Sequence, residues 1–301
     1  MSLDPQVLDI YKNKPAPPTS FNIDDMRKNA DLTFNDKNEV VKIYHWEDRM
    51  ISPCLPVRIY YPSEKNGLPV MLYFHGGGFV MHNIQSHDSL CRQLANECNC
   101  IVVSVGYRLA PEYKYPACID DGYTALNWIC KNAYSFGGNP DKIILSGDSA
   151  GATICASLAL KSADSSGPSI YAMVLLYGMF GAAGLDSDSM RQFGNGEYVL
   201  PKIMVEWCTS QYVPPEADQN DPLLNPGKAK SYNNMPKSLI VTGEYDPLRD
   251  DGEEFYRMLK KSGNNAELIR VEGVMHGFML YWNRIDKAKS LIKYINKWLN
   301  Y

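Results

Sequence analysis

Ser149, at the centre of Gly147-Asp148-Ser149-Ala150-Gly151, and His276, in Gly273-Val-Met-His-Gly-Phe278, carry the clearest chemical potential in the chain. A serine hydroxyl is a weak nucleophile until a base takes its proton and a third group orients that base. His276 is the candidate base. Asp246, in Thr242-Gly-Glu-Tyr-Asp246-Pro-Leu-Arg-Asp250-Asp251, is the better orienting acid, because it stands where an apolar run ends and Pro247 stops further pairing. Glu244 is held in reserve for that role. Asp250 and Asp251 read as the acidic first turn of a following helix. His75-Gly-Gly-Gly78 adds consecutive glycines whose backbone N–H groups can turn toward a developing negative oxygen, with the N–H of Ala150 opposite. His75 precedes the glycines and is expected to fix their loop by hydrogen bonding. Together these groups describe attack on a carbonyl carbon.

Such groups work only if a scaffold brings them together. The apolar run Lys142-Ile-Ile-Leu-Ser146 before Ser149 reads as a buried strand, and residues 152–160 after it read as a helix. A Gly-x-Ser-x-Gly between strand and helix sets its serine on a tight turn. Further buried strands are expected at residues 69–74, 101–105, 170–177, 237–242 and 266–271. Helices are expected between them at 89–97, 117–133 and 252–262. A last helix over 283–300 has Ile285, Ala288, Leu291, Ile292, Ile295, Trp298 and Leu299 on one face. Residues 39–45 and 55–61 alternate at period two and read as half-exposed antiparallel strands. The fold class is α/β: a mainly parallel sheet of about eight strands with helices on both faces. The strands' carboxyl ends then share one edge, where ligands bind in open α/β sheets. His75, Asp246 and His276 all follow strands, so they belong on that edge with Ser149.

The alternation breaks between residues 180 and 235, where Gly, Asp, Asn and Pro surround one helix candidate at 201–212. Residues 1–38 are polar, with a proline-rich piece at 14–18 and a short helix candidate at 24–29. They read as a segment that docks onto the domain formed by 39–301. Together with the 180–235 insertion they could form a cap.

At 301 residues the chain fits one large α/β unit. A net charge of −4 argues against a nucleic-acid partner. No apolar run approaches the roughly 18 residues of a membrane span. The opening residues lack a basic stretch followed by an apolar core, so a cytoplasmic location is expected. Eight cysteines at irregular spacing read as reduced, buried or half-buried thiols. No metal or organic cofactor is called for.

The set His75-Gly-Gly-Gly-Phe79, Tyr107-Arg-Leu-Ala-Pro-Glu112, Gly147-Asp-Ser-Ala-Gly151, Asp246-Pro-Leu-Arg-Asp250 and His276-Gly-Phe278 resembles the hormone-sensitive-lipase family of carboxylesterases, in the family's order. The resemblance implies an α/β-hydrolase fold with Ser149 as nucleophile, His276 as general base and Asp246 as its orienter. It also implies Gly77, Gly78 and Ala150 as the oxyanion donors, and a cap from the N-terminal segment and the insertion. Arg108 and Glu112 are expected to tie loops behind the site. Some relatives are receptors that have lost the histidine, which this chain keeps. Short-chain esters, acetyl to hexanoyl, are the substrate class implied, and a homodimer is the assembly implied. Phe79, Met204, Trp207, Phe278 and Tyr281 are candidate substrate-pocket residues. Rival readings are an amidase or peptidase, a deacetylase of a polar metabolite, and a non-catalytic receptor.

Overall fold

A computed structural model of the chain describes residues 2–12, 21–165 except 36–40, and 167–300. The proline-rich piece at 14–18 lies outside the described residues. Eight strands form one sheet in the order β1-β2-β4-β3-β5-β6-β7-β8. They are β1 (His45–Ser52), β2 (Leu55–Tyr61), β3 (Leu68–Phe74), β4 (Ile101–Val105), β5 (Gly138–Asp148), β6 (Ala172–Leu176), β7 (Lys237–Tyr245) and β8 (Ala266–Met275). The pairs β1/β2 and β2/β4 are antiparallel, and every other pairing is parallel.

Both faces of the central strands are apolar because successive side chains point to opposite sides. In β3, Val70, Leu72 and Phe74 enter one core, while Met71 and Tyr73 enter the other. The first core is closed by α4 (Ala117–Asn132), α5 (Ala150–Asp164) and α8 (Arg249–Lys261). The second is closed by α3 (Asp88–Cys98) and α9 (Asp286–Leu299), with Val7 of α1 (Pro5–Tyr11) at its margin. The seven residues expected on one face of α9 are all buried.

Two differences from the sequence reading are instructive. The first strand runs over His45–Ser52, not over 39–45; residues 39 and 40 lie outside the described set, and 41–44 are not strand. A tight turn pairs Ser52 with Leu55 and so fixes the register of the hairpin, which the alternation at 39–45 could not reveal. The strand read at 170–177 covers only Ala172–Leu176. Among the cysteines, Cys54 is exposed, because it lies in that hairpin turn.

The segment between β6 and β7 carries α6 (Asp188–Phe193) and α7 (Lys202–Tyr212); only the second was read from sequence. Its attachment comes from the acidic pair at the start of α8. The Asp251 carboxylate is buried and accepts backbone N–H bonds from Phe180, Gly181 at 3.1 Å, Ala183 at 2.8 Å and Gly184 at 3.3 Å. Asp250 accepts from the Ser189 N–H at 2.7 Å, and the Ser189 hydroxyl donates to the Pro247 carbonyl at 2.8 Å. These acids therefore do more than meet a helix dipole: they staple the insertion to the sheet edge. Replacing Asp251 by Ala strands several buried donors and is expected to cost about 3 kcal/mol. Chemical denaturation measures that loss, and limited proteolysis should place new cuts within residues 180–200. An insertion as protease-resistant as in the wild type would refute the staple.

Candidate functional site

The order of strands explains why the chemistry gathers in one place. From β3 the chain moves to β4 on one side and then to β5 on the other, so the ends of β3 and β5 diverge at a switch point. Phe74 pairs with Gly147, so the His75 loop and the Ser149 turn leave the sheet side by side. Tyr245 pairs with Met275, so Asp246 and His276 each follow a paired residue.

Ser149 has φ 52° and ψ −122°, a strained backbone for a side-chain-bearing residue. Its N–H donates to the Leu176 carbonyl at 2.8 Å. The turn is so compact that a Cβ on Gly151 would stand 1.9 Å from the Phe74 carbonyl oxygen, and one on Gly147 2.5 Å from the Gly151 backbone. Glycine is the one residue that fits either position.

His276 Nε2 lies 3.0 Å from Ser149 Oγ, and His276 Nδ1 lies 2.8 Å from Asp246 Oδ2. The other Asp246 oxygen accepts the Leu248 N–H at 2.8 Å. Asp246 is fully buried and His276 nearly so. The carboxylate therefore fixes a proton on Nδ1 and turns Nε2 toward the serine. The Tyr177 ring and the imidazole make a T-shaped contact, 5.0 Å between centroids. Glu244 is placed elsewhere: its carboxylate accepts the Gly273 N–H at 2.8 Å and holds the loop that leads to His276.

Gly77 and Gly78 have φ 113° and 60°. A Cβ on Gly78 would stand 2.7 Å from Cys208 Sγ of α7. His75 Nδ1 pairs with the Gly76 carbonyl at 2.8 Å, and the His75 ring stacks on Tyr107, whose hydroxyl donates to the His75 carbonyl at 2.7 Å. Burial, with His87 beside it, pushes the His75 imidazole down to about 3, so it stays neutral.

Ser149, His276, Gly77, Gly78 and Ala150 open on one cavity of about 420 Å³. Its walls are mostly apolar: Met26 and Ala30 of α2 (Ile23–Asn35), Met179 just after β6, Leu200 and Met204 of the insertion, and Leu280. Of the pocket residues read from sequence, Phe79, Met204 and Tyr281 line the cavity. Trp207 and Phe278 do not. Trp207 faces the other side of α7 and meets Phe21, with centroids 5.2 Å apart. Phe278 turns inward, is buried at 1% exposure and packs on Tyr177. Sequence reading missed Tyr11, Met26 and Ala30, which arrive on helices whose docking no local pattern announces.

Arg27 shows how α2 docks. Its guanidinium makes two bonds of 2.8 Å to the Glu112 carboxylate and also donates to the carbonyls of Val80 at 2.8 Å and Ala110 at 2.9 Å. Arg108 pairs with Asp121 instead, at 2.8 Å. Hydrogen bonds from Arg27, outweighing a smaller effect of burial, hold the Glu112 carboxyl down at about 2, against an ordinary value of 4.5.

A family model for the alpha/beta hydrolase fold matches residues 71–280. The chain is 36% identical over 225 residues to an arylesterase of Saccharolobus solfataricus, covering 75% of this chain and 73% of that protein. It is 36% identical over 244 residues to esterase LipI of Mycobacterium tuberculosis, covering 78% and 75%. A hyperthermophilic esterase from the archaeon Pyrobaculum calidifontis superposes with a TM-score of 0.91, covering 99% of this chain and 98% of that one at 31% identity. The chain belongs to this α/β-hydrolase family, the hormone-sensitive-lipase-like carboxylesterases. Among the described residues, no helix is long and apolar enough to cross a membrane.

The Arg27–Glu112 clamp predicts a pH signature. Because the folded carboxyl value is lowered, the clamp contributes fully above pH 4.5 and is lost as pH falls toward 2. Glu112 is half exposed, so the contribution is at most about 1 kcal/mol. Wild type and Glu112→Gln should therefore differ in melting temperature at neutral pH and converge in acid. A gap that widens in acid would contradict the clamp.

Proposed function

We propose that this protein is a serine carboxylesterase that hydrolyses short-chain esters through an acyl-enzyme. The observation that carries this reading is the chain of hydrogen bonds from Asp246 through His276 to Ser149, at 2.8 and 3.0 Å, beside the Gly77–Gly78 loop. His276 Nε2 takes the Ser149 proton as Oγ attacks the ester carbonyl carbon. The carbonyl π electrons move onto oxygen, and the N–H groups of Gly77, Gly78 and Ala150 hold that oxyanion. Collapse of the tetrahedral species breaks the bond to the alcohol oxygen, which takes the proton from His276. Water, deprotonated by the same nitrogen, then attacks the acyl carbon, and a second collapse returns the proton to Ser149 and frees the acid. Asp246 stabilises the imidazolium through both collapses without taking its proton.

The described parts of residues 1–38 and the insertion at 180–235 act together as a cap on the hydrolase domain. Helices from both contribute walls to the cavity, which supports that role. The apolar lining and the modest volume favour a small acyl group over a long chain. Location in the cytoplasm remains part of the proposal and is supported by the free thiols, and pairing into a homodimer rests on the family resemblance.

Ser149→Ala and His276→Ala should each lower kcat on short-chain p-nitrophenyl esters by about ten-thousandfold or more. A variant that keeps most of the activity would overturn the residue roles. In an ester panel, activity should peak between acetyl and hexanoyl, and Met204→Ala should move the peak to longer acyl groups. A wild-type maximum on long-chain esters would refute the substrate class. An organophosphate should label Ser149 stoichiometrically, and an unreactive serine would favour the receptor reading.

A further inference from the structure

The proton path leaves one part of the Gly-x-Ser-x-Gly turn unused. Asp148 directly precedes Ser149 and is 2% exposed. Its Oδ1 accepts the Gly76 N–H at 3.0 Å and the Tyr73 hydroxyl at 2.8 Å. His87 Nε2 stands 3.1 Å from the same oxygen, close but out of line for an aligned hydrogen bond. The other oxygen, Oδ2, fills the space against Gly76, where a Cβ would come within 2.5 Å of it.

The proton on His87 can be assigned from its neighbours. The Ser86 hydroxyl lies 2.8 Å from the Asn83 carbonyl and 2.9 Å from His87 Nδ1. A bare lone pair on Nε2 facing a carboxylate oxygen would be repelled, so Nε2 carries the proton in this fully buried ring. Burial alone would raise the Asp148 carboxyl. The neighbouring His87 and a hydrogen bond from Tyr73 hold it instead at about 2. His82, like His75, is pushed down to about 3, by burial first and by the neighbouring His87 second, and is neutral.

We propose that Asp148, with His87 beside it, is a positioning residue for ester hydrolysis: it ties Gly76, and through it the N–H groups of Gly77 and Gly78, to the backbone that carries Ser149. Gly77 and Gly78 have no side chains of their own to hold them and sit at positive φ. One carboxylate therefore anchors nucleophile and oxyanion loop to each other. An apolar residue at this position would leave the Gly76 N–H and Tyr73 hydroxyl without their acceptor. An amide would keep one acceptor oxygen but put an NH2 donor in place of the other and remove the carboxylate charge that the Gly76 N–H and Tyr73 hydroxyl meet. The proposal rests on the reading of Gly77, Gly78 and Ala150 as oxyanion donors.

The test uses the full chain carrying Asp148→Asn. Two quantities are measured: steady-state hydrolysis of p-nitrophenyl butyrate, and affinity for an alkyl trifluoromethyl ketone, whose adduct with a serine bears the oxyanion without turnover. A displaced loop should lower kcat by about a hundredfold, leave KM within about threefold and weaken ketone binding by the same factor as kcat. An unchanged kcat overturns the proposal, and so does a fall in kcat with undiminished ketone affinity. If Asp148→Asn does not fold, Tyr73→Phe removes one donor from the same oxygen and keeps the ring. Parallel losses of about fivefold then support the role, and unchanged kcat and ketone affinity overturn it. Full activity in Ser149→Ala would instead sink the serine-hydrolase reading, so the two failures are told apart.

Discussion

The carbonyl of Phe74 and the backbone of Gly151 come so close that no side chain can stand between them. This crossing, where the first turn of α5 rides over the end of β3, sets the geometry of the site. It forces glycine at 147 and 151 and throws Ser149 into a backbone conformation with φ 52°. It also places the N-terminus of α5 beside the loop that leaves β3. The pairing of Phe74 with Gly147 carries the same constraint through the sheet, because it sets how far each strand extends before its loop begins. The Tyr245–Met275 pair repeats the logic on the neighbouring strands for Asp246 and His276.

Around this rigid edge the less regular segments are held by charge as well as by apolar contact. Arg27 ties α2 to Glu112 and to the carbonyls of Val80 and Ala110, next to the glycine loop. Asp250 and Asp251 gather the backbone of the insertion. Both attachments serve the same end. The insertion also buries Met190, Val205, Tyr212 and Tyr232, and charged groups meeting backbone and side-chain partners add direction to that packing. The cavity between them is left mostly apolar, with its polar groups at Ser149, His276 and the adjoining loops.

Much of this was legible in the sequence because it depends on local rules. Strands buried on both faces read as continuous apolar runs, and α9 showed its buried face by its three- and four-residue steps. Loops that follow parallel strands share an edge, so Asp246, His276 and the His75 loop could be assigned to one side of the sheet. Other features escaped. The true span of β1 depended on a hairpin register that the alternation at 39–45 did not encode. Trp207 and Phe278 looked like pocket residues by type, but a helix rotation and an inward turn took them elsewhere. Asp250 and Asp251 looked like dipole partners, yet their acceptors' mates lie some sixty to seventy residues away in the chain.

By itself the sequence determined the fold class, the family and the chemical types gathered at the sheet edge, since periodicity, strand-end motifs and obligatory glycines act over short stretches of chain. Tertiary structure alone decided which side chains meet. It joined Asp246, His276 and Ser149 into one line of hydrogen bonds, assigned Glu112 to Arg27, and buried Asp148 against His87 and Gly76. It also set the walls of the cavity. Those outcomes depend on how packed elements rotate and dock, and long-range contacts of that kind leave no periodic signature in the chain.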